Sequence, residues 1–172
     1  MSFRQNVEDS RGALERLISH IPGYHGYKEK ENRRAADKLL RDLLFSELDE
    51  QRRRLAELQR QMLDSGGLLL IDDVDRAVTK VQKLADTVRT ASYGYAGLFD
   101  AVKVKEDELD ALYAFDENML SALADIKVAI DELAAAIETS GDMKAAIANV
   151  VAAAESANAR WRERANVITG AA

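Results

Sequence analysis

The feature that most restricts this chain is a seven-residue spacing of apolar side chains. Leu112, Met119, Ile126 and Leu133 recur at that interval, and Leu123, Ile130 and Ile137 fill the offset four residues later. Such a pattern keeps one stripe of a helix apolar over many turns and asks a neighbouring helix to cover it. Ala122, Ala129 and Ala136 flank the stripe with side chains small enough for that neighbour to come close. Shorter versions of the repeat run through Val74, Val81 and Val88, and through Leu48, Leu55 and Met62. The only proline is Pro22, so no residue after it carries that helix breaker. The chain is predicted to be all-α.

Taken in order, residues 2–20 place Phe3, Val7, Leu14, Leu17, Ile18 and Ile21 near one helical face, with charged residues opposite. A leading helix docked on the rest of the molecule is expected. The mixed charge of its polar face argues against a helix lying on anionic lipid. Pro22-Gly23 ends it. The next helix is expected to start near Tyr27 or Lys28 and to run to about Asp64, with Leu40, Leu44, Leu48, Leu55, Leu58 and Met62 on its apolar line. Gln51 interrupts the companion line. Glu29 and Arg33, Asp37 and Arg41, Asp49 and Arg53, and Glu50 and Arg54 each put an acid four residues before a base, the order that supports an exposed helix.

Ser65-Gly66-Gly67 reads as a helix stop, after which Asp72 or Asp73 is placed to cap a third helix over 73–92. Tyr93-Gly94-Tyr95-Ala96-Gly97 breaks that helix, and Ala101-Val102-Lys103-Val104 alternates like a short extended segment. A fourth helix is expected over about 105–139, its early acids Glu106, Asp107, Glu108 and Asp110 complementing the helix N-terminus. Ser140-Gly141-Asp142 repeats the earlier turn chemistry, with Asp142 as cap, and a last helix runs to about Ile168. Short turns make consecutive helices antiparallel. The expected fold is one domain over 1–172, an elongated four- or five-helix bundle of two long antiparallel hairpins, 28–92 and 105–168, plus the short leading helix.

Composition and motifs exclude more chemistry than they suggest. Net charge is −6 and the isoelectric point near 5.1, which disfavours a nucleic-acid partner. There is no cysteine, hence no disulfide and no thiolate site. The longest apolar run, Leu68-Leu69-Leu70-Ile71, is far short of a membrane span, and the N-terminal stretch has no apolar signal core, so the cytoplasm is the default location. The two histidines, His20 and His25, lack the Glu-x-x-His setting of a di-iron bundle, and no phosphate-binding or nucleophile-elbow motif occurs. A non-enzymatic protein without cofactor or metal is expected.

One stretch stands out as a binding surface. Tyr24, His25 and Tyr27 sit among glycines just before Lys28, Lys30, Arg33 and Arg34, and residues 28–41 carry a net charge of +3 in an acidic chain. Bases at a helix N-terminus suit a phosphate, a lipid headgroup or an acidic partner segment. The competing reading packs the tyrosines onto the bundle and pairs the bases with Glu29 and Glu31.

This Pro-Gly-Tyr-His-Gly-Tyr-Lys-Glu-Lys-Glu stretch, taken with Tyr93-Gly94-Tyr95 and the downstream Phe99-Asp100-Ala101-Val102-Lys103, resembles a family of uncharacterised prokaryotic helical proteins. The resemblance implies partners that include SPFH-domain (stomatin- or flotillin-like) membrane-associated proteins, and it carries no catalytic residue. Antiparallel packing of the first hairpin would bring Tyr24 and Tyr27 toward Tyr93 and Tyr95, making one end-cap with Lys28, Arg33, Arg34 and Lys103 around it. The expected function is a scaffold or adaptor that binds a protein partner or self-associates. The alternative is a peripheral membrane or anionic-ligand binder that uses the leading helix and the basic turn.

Overall fold

The computed structural model describes residues 30–64, 67–91 and 106–169, with side chains described over 38–64, 67–91 and 114–164. Four long helices account for nearly all of these: α1 Lys30–Asp64, α2 Ile71–Thr90, α3 Glu106–Thr139 and α4 Met143–Thr169. A single 3₁₀ turn, Leu68–Leu70, joins the first two, and no strand occurs among the described residues. The expected all-α bundle is the observed architecture. The leading helix over 2–20 and the extended segment at 101–104 lie outside the described residues.

The helices form where the apolar spacing placed them, and they bury the predicted stripes. Leu40, Leu44, Leu48, Leu55, Leu58 and Met62 of α1 are buried, as are Val74, Val81 and Val88 of α2 and Met119, Leu123, Ile126, Ile130 and Leu133 of α3. From α4, Ile147, Val150, Ala154, Ala157 and Trp161 complete the same continuous core. Each large aliphatic side chain so buried contributes about 1.5–3 kcal/mol relative to exposure. The principal contacts join α3 to α4, α1 to α2, α2 to α4 and α1 to α3. The helices therefore close into a ring with α1 diagonal to α4.

Both hairpin turns stop their first helix in the same way. The Gly67 N–H donates to the Met62 carbonyl at 2.8 Å, and the Gly141 N–H donates to the Ala136 carbonyl at 2.8 Å. These are the closing bonds of Schellman-type helix ends, which satisfy carbonyls the helix leaves open. At the second turn Ser140 takes the left-handed conformation, φ 53°, usually reserved for glycine. Asp142 then caps α4, its carboxylate accepting from the Ala145 N–H at 2.9 Å. At the first turn neither Asp72 nor Asp73 caps α2. The 3₁₀ turn supplies the lead-in, and both aspartates fall inside the first turn of the helix, where its dipole favours them.

Three polar ties join the hairpins. Asn158 on α4 donates to the Lys80 carbonyl of α2 at 3.1 Å and to its own Ala154 carbonyl at 2.8 Å. Alongside, the Lys80 ammonium meets Glu155 at 2.9 Å. Between α1 and α3, Arg54 pairs with Asp131. The sequence pattern assigned Arg54 to Glu50 on its own helix. The longer reach across the ring wins because α3 brings a carboxylate within range of the guanidinium. Asp49 pairs with Arg53 as expected and also takes Arg52 at 2.9 Å.

Candidate interaction surface

Of the ten residues singled out in the sequence, Tyr24, His25, Tyr27, Lys28, Tyr93, Tyr95 and Lys103 lie outside the described residues. Lys30, Arg33 and Arg34 fall in the first turns of α1, and their side chains lie outside the described set. The first hairpin has a steady register. Gln59 bonds Asp75 near the turn, and the Arg89 guanidinium stands 5.2 Å above the Phe45 ring near the other end. In that register the end of α2 is level with the residue before Phe45, so residues 30–43 extend roughly 20 Å past it at 1.5 Å per residue. The basic start of α1 is thus at the end of that helix remote from the Leu68–Leu70 turn. The proposed contact between Tyr27 and Tyr95 lies outside the described residues.

The described surface offers a different feature at that turn. Leu63, Leu68 and Leu69 are 49%, 69% and 95% exposed, which makes this the most solvent-facing apolar group among the described residues. Its origin is local. The glycine-closed helix end forces the chain round, and the 3₁₀ turn, held by the Leu70 N–H on the Gly67 carbonyl at 2.9 Å, winds three leucines in one tight circle. Only Leu70 and Ile71 tuck partly against the bundle, so Leu68 and Leu69 point outward. Gly67 has to be small here, since a Cβ would stand 3.1 Å from the Met62 carbonyl oxygen and 3.2 Å from its Cβ. Sequence reading recognised the run from Leu68 to Ile71 and weighed it only as a membrane span. A glycine stop followed at once by four apolar residues was the signal that marked it as a tip.

Asp64, Asp72 and Asp75 stand exposed around these leucines, with Asp73 beside them and no lysine or arginine between Gln61 and Asp75. Arg76, just beyond that stretch, is engaged by Asp73 at 3.3 Å. The tip is therefore apolar at its centre and acidic at its rim.

Elsewhere several carboxylates are held by ion pairs. The Arg52 and Arg53 guanidinium groups hold the Asp49 carboxyl below its ordinary value, and the Lys80 ammonium does the same for Glu155. Deeper, Arg164 and Asp116 form a buried pair at 3.6 Å, with the guanidinium 5.0 Å above the Trp161 ring. Trp161 in turn meets Phe115 at 6.3 Å and an interplanar angle of 57°, the tilted geometry aromatic pairs favour. This cluster ties α3 to α4 near the start of α3.

Among the described residues no three His, Cys, Asp or Glu side chains converge as a metal ion would require. No described helix is long and apolar enough to cross a membrane. In comparisons with known proteins, no family model, no curated sequence and no solved structure matches the chain.

Proposed function

We propose that this protein is a helical scaffold or adaptor that works by protein–protein association and performs no catalysis of its own. The observation that carries the reading is where apolar surface is left over. The seven-residue stripes, which in an open coiled coil would recruit another chain, are buried within this one. The leucine tip is not. An apolar group rimmed by charge is the composition of a small interaction site. The acidic rim also argues against the membrane reading for this surface, because anionic headgroups would repel Asp64, Asp72 and Asp73. The alternative of a basic anion-binding turn rests on Tyr24 to Arg34. The family resemblance adds an SPFH-type membrane-associated protein as one partner class, with the protein itself on the cytoplasmic side.

A photoreactive amino acid in place of Leu69 tests the reading directly, with Glu57, exposed on the flank of α1, as the control position. Discrete protein adducts at position 69 that are missing at position 57 are expected in cells. Absence of any protein adduct at 69 overturns the proposal.

A further inference from the structure

The leucine tip carries a charge pattern that its two helices do not call for. Residues 62–75 hold Asp64, Asp72, Asp73 and Asp75 and no lysine or arginine, so four acids and no base give −4 around Leu63, Leu68 and Leu69. Arg60 and Arg76, which bracket this stretch, are engaged by Glu57 at 2.8 Å and by Asp73 at 3.3 Å. Asp75 accepts from the neutral Gln59 amide at 3.2 Å and so keeps its charge. Asp64 and Asp72 take no ion pair among the described residues.

Asp72 and Asp73 suit the first turn of α2, where the helix dipole favours an acid. Asp64 is placed the other way. It is the last residue of α1, at the negative end of that helix, and no base stands in the last turn to offset it. A lysine or arginine there would serve the helix better. Its neighbour Leu63 is 49% exposed, so an acid at the wrong end of a dipole and an unburied leucine occur side by side. We infer that the tip receives a short basic segment of another protein, with Leu63, Leu68 and Leu69 covering its apolar centre and Asp64, Asp72 and Asp75 meeting its lysines or arginines. Opposite charge selects the partner, and the leucines supply the area that leaves water. Three leucines cover far less than the roughly 1,200 Å² of a stable interface, so the contact is transient and weakens as salt rises.

This inference rests on the adaptor reading and names the chemistry of the partner. A phage-displayed library of random peptides, selected on the immobilised full chain, tests it. Enriched peptides are expected to carry lysine or arginine on both sides of aliphatic or aromatic residues. Leu68→Asp with Leu69→Asp, at positions outside the core, is expected to weaken the best of them at least about tenfold. The added aspartates would strengthen any attraction that were charge alone. Asp64→Lys with Asp72→Lys is expected to turn selection toward acidic peptides, an inversion that a folding defect would not give. Asp64→Lys alone is expected to raise the melting temperature while weakening the basic peptides. A melting temperature that falls with that substitution assigns Asp64 to the fold and overturns the inference. Enriched peptides without bases overturn it, as do basic peptides that bind the leucine variant equally well. So does a chain that enriches no basic peptide but gains mass with concentration only while Leu68 and Leu69 are present, since a second copy then holds the tip. If position 69 crosslinks a protein in cells while no basic peptide is enriched, the adaptor reading stands and the basic partner falls. If position 69 crosslinks no protein, both fall.

Discussion

Gln51 sits on α1 among leucines, 2% exposed, and its Oε1 has no hydrogen-bond partner among the described residues. A buried acceptor left unsatisfied costs about 1–3 kcal/mol. Replacing it with leucine, of similar size, is expected to raise the unfolding free energy in urea by on the order of 1 kcal/mol. A lower value would mean that the amide is held by contacts the leucine cannot make. The interruption of the apolar line at Gln51 was legible in the sequence, and burial shows that the helix keeps its face inward there all the same. Arg164 and Asp116 are the opposite case. Nothing in their spacing marked them as interior residues, because they lie on different helices and become a pair only when α3 and α4 align.

At the scale of single helices, the stops and starts are chemically explicit. Ser140 holds a left-handed backbone that costs a residue with a Cβ about 1–2 kcal/mol. Ser140→Gly relieves that strain but makes the unfolded chain more flexible. The expected net gain is therefore about 0.5–1 kcal/mol, read from thermal melts. Asp142→Ala removes the cap on the Ala145 N–H and is expected to lose about 1 kcal/mol. The caps show why one turn was predicted more accurately than the other. Asp142 directly precedes α4, so its carboxylate reaches back to the first open N–H groups. Asp72 and Asp73 follow a 3₁₀ turn that has already begun the winding, and no cap position is left for them.

For the whole molecule, the ring of four helices links stability to pH through its carboxylates. Asp49 and Glu155 are held below their ordinary values by Arg52 and Arg53 and by Lys80. A carboxyl whose folded pKa is lowered stabilises the fold at pH above its unfolded value and loses that contribution as pH falls through the folded value. Melting temperature is therefore expected to decline on acidification below about pH 4. Asp49→Asn is expected to lower stability near neutrality by on the order of 0.5 kcal/mol, the size of an exposed helical ion pair. The gap to the unsubstituted protein is expected to shrink at a pH below the ordinary carboxylate range, as that carboxyl takes up its proton. An equal gap at both pH values would show that the loss arises from packing and not from charge.

Helix identity and extent, the two glycine stops, the Asp142 cap and the buried faces were all determined by the sequence alone. Each depends on residues within a turn or two of one another, where spacing is geometry. Which helices became neighbours was decided only in three dimensions. The tie from Arg54 to Asp131, the anchor of Asn158 on the Lys80 carbonyl and the buried Arg164 all join residues more than forty positions apart along the chain. Exposure of the leucine tip was decided there too, because a run of four apolar residues reads alike whether it enters a core or rounds a corner. A 3₁₀ turn has three residues per circuit and here only one side against the bundle, so it cannot bury them all.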